Sequence, residues 1–191
     1  MIGFVRAAAV AACSFLLTAC ASDPDYSPSI DLGEPTVDSE AMHPYASREA
    51  SMEEPEQPLQ CVPFARALSG INLHGDASSW WDLAEGRYAR SRDPQLGAVL
   101  VLAGYAGPHR GHVAVVTAID SPRRIRVDHA NWFGDGNIYR NDPVVDVSAD
   151  NDWSEVRVWN IRTHTLGTRT YSARGFIGPG PDSEVRVASR Y

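Results

Sequence analysis

An α+β domain, with helices gathered ahead of a consecutive run of antiparallel strands, is the fold class this sequence predicts. Three observations lead there. Helical signals are confined to residues 61–86, and five apolar segments of strand length follow between Gly97 and Ile161, separated by turn residues. From Ala21 to Pro58 the chain has few of the large apolar side chains that a core needs. A length of 191 residues accommodates one such domain with extensions.

The first extension is residues 1–19. Arg6 precedes an apolar run, Ala7–Leu17, that is too short to span a bilayer and ends in small residues, the pattern of a secretory signal peptide. Its end, Leu17-Thr18-Ala19-Cys20, resembles the lipobox of bacterial lipoproteins. The resemblance implies that Cys20 becomes the first mature residue and carries acyl chains. Each buried methylene is worth about 0.8 kcal/mol, so two or more chains anchor a protein stably to a membrane. A periplasm-facing place in the cell envelope is therefore expected. In a Gram-negative host, Ala21 and Ser22 would favour the outer membrane.

Residues 20–58 are expected to be a tether. From Ala21 to Pro58 there are six prolines, ten acidic residues and one arginine, with little to bury. Such a coil of 38 residues reaches on the order of 35 Å, further where carboxylates repel.

The folded domain is expected over residues 59–180. Pro63 in a first turn and Gly70 as terminator predict a helix over Cys61–Ser69. Ser78 is placed to cap a second helix through Trp80, Trp81, Leu83 and Ala84, stopped by Gly86. Strands are predicted over Gly97–Leu102, His112–Ile119, Ile125–Asn131, Val144–Val147 and Val156–Ile161, with Asp120-Ser121-Pro122-Arg123 turning between the second and third. Residues 181–191 read as a frayed tail.

Charge narrows the function classes. All seventeen basic residues are arginine and the formal net charge is -7. An acidic chain of this kind carries no electrostatic signature for nucleic acid.

Cysteine usage then points to chemistry. Cys13 leaves with the signal peptide and Cys20 is acylated, so Cys61 stands alone in the mature chain, although an oxidising compartment normally pairs structural cysteines. At the start of a helix, unsatisfied N–H groups favour a thiolate, and a nearby imidazolium would favour it further. Cys61 is the candidate nucleophile. Of the six histidines, His43 falls in the tether, His164 in a Thr-rich loop, and His74 and His109 in Gly-containing loops. His112 opens a strongly apolar strand directly after Gly111, which places its ring at the rim of a rigid sheet. It is the candidate general base. Strand alternation puts Ile125, Val127, His129 and Asn131 on one face, and Arg124, Arg126 and Asp128 on the other. An imidazole and an amide at the end of an apolar face require hydrogen-bond partners. Either His129 or Asn131 can orient His112, as a third catalytic member does.

Gln60-Cys61-Val62-Pro63-Phe64-Ala65-Arg66, Gly111-His112-Val113-Ala114-Val115-Val116 and His129-Ala130-Asn131-Trp132, in this order, resemble the CHAP family of cysteine, histidine-dependent amidohydrolases and peptidases. The resemblance runs from about Leu59 to Ile177, where Gly175-Phe176-Ile177 is similar to the family's closing strand. It implies a papain-like α+β fold and cleavage of an amide or peptide bond in peptidoglycan, without a cofactor or metal, by a monomer. It further implies Cys61 as nucleophile, His112 as base and Asn131 as the asparagine of the third motif. His129 stands where many members have an acidic residue, and a Cys-His-His arrangement is used by the related NlpC-type endopeptidases. Gln60, with the Cys61 amide, is the candidate oxyanion hole, and Trp132 a candidate for the substrate groove. Two alternatives stand beside this reading. His109-x-x-His112 with Cys61 or His129 offers zinc-capable ligands. The fold can also serve a wall-binding lipoprotein without turnover.

Overall fold

The computed structural model describes residues 49–107 and 109–180. The expected signal peptide, the lipid-modified Cys20, most of the tether with His43, and the 181–191 tail lie outside the described residues.

The elements follow one another as β1 (Ser51–Glu53), α1 (Cys61–Ser69), a 3-10 turn (Ala77–Ser79), α2 (Trp80–Leu83), β2 (Arg90–Ser91), β3 (Val99–Ala103), β4 (His112–Ser121), β5 (Arg124–Ala130), β6 (Ile138–Asp146), β7 (Glu155–Asn160), β8 (Thr165–Leu166) and β9 (Tyr171–Ile177). The α+β, papain-like arrangement does not hold. The described residues are mostly β, with two α-helices of nine and four residues. Six strands pair antiparallel in the circular order β3, β4, β5, β6, β7, β9 and back to β3, a closed barrel to which β1, β2 and β8 are appended.

Two causes underlie the correction. The second predicted helix ends after one turn, and its Leu83 is 40% exposed. More decisively, β6 is long enough to pair twice. Its first part lies along β5, and Val144–Asp146 also pair with Val156–Val158 of β7, which closes the sheet on itself. Closure removes the open edges that a flat antiparallel sheet would leave.

The barrel explains why β3 and β4 read as continuous apolar runs. One alternating set, Leu100, Leu102, Ala114 and Val116, joins Ile125, Val127, Val156 and Phe176 inside the barrel. The other set, Val99, Val101, Val113 and Val115, packs outward against Phe64, Ala65 and Leu68 of α1 and against Trp80. Both faces are buried, so the strands lose the polar alternation of a half-solvated sheet.

Helix α1 spans the residues expected of it. Gly70 adopts φ 75° and its N–H reaches the Arg66 carbonyl, the left-handed turn that ends the helix. Residues before the predicted boundary at residue 58 also take part in the sheet. Ser51, Met52 and Glu53 pair with Arg140, Tyr139 and Ile138 of β6. Arg140 holds this strand in place, bonding Glu53 at 3.0 Å and the buried Asp128 at 2.9 Å while its guanidinium lies over the Phe64 ring. Asp128 is therefore buried, not on an outer charged face, and its Oδ1 also accepts the Asn141 N–H. That contact fills a bulge where the β5–β6 register shifts between Val127 and His129.

Candidate active site

The site is assembled at the end of the barrel where β4 begins and β5 finishes. Gln60 is the N-cap of α1, in extended conformation, so Cys61 is the first helical residue. Cys61 is unpaired and partly buried. His112 is the first residue of β4 and His129 lies one residue before the end of β5, both at most 2% exposed. The 131–137 segment is stitched to the helix start. The Leu59 N–H donates to the Gly136 carbonyl at 2.9 Å. Gly136 has φ 76°, and a Cβ there would come within 2.5 Å of Pro58.

Two clefts meet at the thiol. One, of about 410 Å³, is lined by Gln60, Cys61, Tyr105, His112, Asn131 and Phe133, among others. The second, of about 550 Å³, runs past Gln60, Cys61, Asp76, Ser78 and His109. Arg110 and Gly111 border both. Cys61 and His112 thus face the same cavity, as the sequence reading required of a nucleophile and its base.

Behind His112 runs a line of buried polar groups. His112 Nε2 is 2.9 Å from His129 Nδ1, and His129 Nε2 is 3.1 Å from Asp142 Oδ2. Aromatic rings enclose the pair. Tyr105 and Trp132 each lie 4.9 Å, centroid to centroid, from His112, and Tyr139 lies 5.4 Å from His129. The apolar enclosure sets the electrostatics. Burial, reinforced by His129, holds the His112 pKa well below its ordinary value. Burial likewise pushes the Cys61 thiol up, against the backbone N–H groups of Val113, Val62 and Cys61 itself. Burial thus favours the neutral thiol and the neutral imidazole, against the pull toward thiolate expected from the helix terminus. Desolvation outweighs the helix end because it penalises the charged form directly.

The other sequence candidates divide. His129 contacts His112. Asn131 does not orient that ring. With φ 62° it turns the chain out of β5, its Oδ1 accepts the Gly136 N–H at 2.7 Å, and its Nδ2 donates to Gln60 Oε1 at 2.8 Å. Asn131 positions Gln60, and the bond leaves the Gln60 Nε2 hydrogens as donors at the cleft. Trp132 is 5% exposed, packs among the barrel residues and is not among the residues lining the two clefts at the thiol. Tyr105 and Phe133 take the lining positions instead. His109 is an exposed loop residue on the second cleft, and among the described residues no group of three or more His, Cys, Asp and Glu side chains is placed to hold a metal ion.

Sequence reasoning missed Asp142. It sits directly before Pro143 in a strand whose first half went unassigned, and the left-handed Asn141, φ 52°, breaks the alternation that would have placed it on the inner face. Directly after Arg140 and Asn141, Asp142 reads as one more polar residue, and no local signal marked it.

Comparison with known proteins adds one finding. The CHAP domain family model matches residues 52–131. Cys61, His112, His129 and Asn131 all fall within the match, and Asp142 lies beyond it. No curated protein matches the chain. CHAP domains are generally cysteine- and histidine-dependent amidohydrolases or peptidases, and the match suggests a hydrolase or amidase whose substrate is peptidoglycan.

Proposed function

We propose that this chain is a cysteine-dependent hydrolase that cleaves an amide or peptide bond of the peptidoglycan stem peptide. The observation that carries the reading is the shared cleft of Cys61 and His112, with His129 at hydrogen-bond distance behind the base. Because His112 Nε2 is engaged by His129, Nδ1 is the nitrogen left to take the thiol proton. As Sγ attacks the carbonyl carbon, the proton passes to Nδ1 and negative charge develops on the carbonyl oxygen. The Cys61 N–H and the Gln60 amide are the nearby donors for it. Collapse of the tetrahedral species breaks the C–N bond, His112 returns the proton to the departing amine, and a thioester remains. Water activated by the same ring then releases a carboxylate and restores the thiol.

A neutral resting pair suits this chemistry, since proton transfer coupled to attack needs no standing ion pair in a desolvated cleft. The sequence features that stand outside the described residues complete the proposal. A lipid-modified Cys20 holds a monomeric enzyme in the cell envelope, on the outer membrane in a Gram-negative host, and an acidic tether lets the domain reach the wall.

Digestion of purified sacculi by the wild type and by Cys61→Ala, followed by mass spectrometry of the soluble products, tests the reading. Soluble fragments are expected from the wild type alone, and their new termini identify the bond. Sacculi bound but not cleaved by the wild type, or cleaved equally by both proteins, would overturn it.

A further inference from the structure

A neutral imidazole serves as a general base at one nitrogen only if the proton sits on the other. His112 has two neutral tautomers, and the cleft needs the one with a lone pair on Nδ1. Nothing in a His–His contact chooses between them, because each ring can either donate or accept. The choice has to come from a group that can do only one of the two. A carboxylate accepts and cannot donate, and the far end of the chain is a carboxyl group, Asp142 Oδ2 at 3.1 Å from His129 Nε2.

We infer that Asp142 is a positioning residue that fixes the tautomers of both histidines and so keeps a lone pair on His112 Nδ1 for the thiol. With both rings neutral, the sequence of bonds is determined once the carboxylate is placed. Asp142 accepts from His129 Nε2–H, which leaves His129 Nδ1 unprotonated. That nitrogen accepts from His112 Nε2–H, which leaves His112 Nδ1 unprotonated. Reversing any one bond reverses them all and puts a proton where the base must accept one.

The surroundings give Asp142 little other purpose. Its side chain is 1% exposed, and Oδ1 is buried with no hydrogen-bond partner, so the carboxylate is stabilised almost entirely through His129. Burial raises its pKa while the His129 hydrogen bond opposes that rise. A buried acid that meets one ring and otherwise pays desolvation is poor structural economy, but it is what an orienting group requires. The bulge at Asn141 brings it into reach. Val127 is opposite Asp142 and His129 opposite Tyr139, so the irregularity lets the Asp142 side chain lean toward the ring on the neighbouring strand.

The kinetic arm of the test rests on the hydrolase reading; the spectroscopic arm does not. On the full chain labelled with 15N-histidine, ring nitrogen shifts and couplings at neutral pH assign each tautomer. The expected pattern is protonated Nε2 and bare Nδ1 at both His112 and His129. In Asp142→Asn the amide can accept from or donate to His129 Nε2, so the pattern should become mixed, with kcat on sacculi falling at least tenfold and KM within twofold of the wild type. A proton on His112 Nδ1 in the wild type would overturn the inference, whatever the variant does. So would an Asp142→Asn protein with unchanged ring patterns and unchanged kcat. If the wild type proves to have no turnover, the hydrolase reading fails while the ring spectra still decide for or against Asp142.

Discussion

The rings of His112 and His129 meet edge to face at 86°, with 2.9 Å between Nε2 of the first and Nδ1 of the second, and neither is more than 2% exposed. Two buried imidazoles in one line with a buried carboxylate give this end of the barrel both its chemistry and its vulnerability.

Removing the middle of that line should be costly to the fold. His129→Ala leaves Asp142 with neither oxygen partnered and opens a void among Trp132, Tyr139 and His112. Loss of one member of a buried pair typically costs about 3–5 kcal/mol. Urea denaturation of the variant should show a loss of about 3 kcal/mol or more with little change in slope. A loss below about 1 kcal/mol would mean that Asp142 is neutral or solvated.

Gln60 and Asn131 should behave as one unit. If the Gln60 amide stabilises the oxyanion, Gln60→Ala lowers kcat by about a hundredfold. Asn131→Ala frees the Gln60 side chain and should cost less. The double variant should be no worse than Gln60→Ala, a coupling that a double-mutant cycle measures directly. Additive losses would show that the 2.8 Å bond between them has no catalytic consequence.

Gly111 is required by space, not by backbone angle. A Cβ there would stand 2.6 Å from the Ser78 amide nitrogen and 2.8 Å from the Ala77 carbonyl carbon, and backbone cannot rotate aside. Gly111→Ala should therefore push the start of β4 away from the 3-10 turn, costing about 1–3 kcal/mol and depressing turnover by displacing His112. Thermal unfolding and sacculus digestion together check this. A variant with wild-type stability and turnover would contradict it.

The pH dependence has a defined sign. His112 has a folded-state pKa below its unfolded value of about 6.5. As pH falls through 6.5 the unfolded chain takes up a proton that the folded chain refuses, so stability is full above that value and declines below it, by up to about 1.4 kcal/mol per pH unit. Burial of Asp142 acts in the opposite sense, favouring the folded state at low pH and losing that contribution as pH rises from about 4. Through His112 the unfolding free energy should drop between pH 7 and pH 5, and Asp142→Asn, which removes the opposing carboxyl, should steepen that drop. The acidic limb of kcat/KM, which reports the free enzyme, should lie below pH 6.5, and a limb at or above that value would contradict a buried neutral His112.

Local features of this protein were legible in the sequence, and closure was not. Pro63 and Gly70 bracket α1 because each acts on its own turn, and the Gly111-His112 junction marks the start of β4 for the same reason. The barrel depends on Val144–Asp146 finding Val156–Val158, a pairing across a polar loop that no local pattern encodes. Strand alternation placed His129 on the inner face and Asp128 on the opposite one, but could not show that Arg140 and α1 cover that opposite face; the extra residue at the β5–β6 register shift lies on β6. The same irregularity hid Asp142. Trp132 read as groove lining because an aromatic residue beside a site has no mark that separates packing from contact. Burial against four neighbouring rings made that distinction.

Tyr105, Trp132 and Tyr139 pack around the two imidazoles, and His112 borders the cleft that also holds the thiol. Any acyl group on Cys61 would stand in that cleft. A hydrolytic water approaching His112 from that cleft takes the space vacated by the departing amine, so the first product is expected to leave before the second step begins. Kinetics on a soluble amide substrate would accordingly follow a double-displacement pattern, and a strong added amine would compete with water for the same vacancy and divert the acyl group into a new amide.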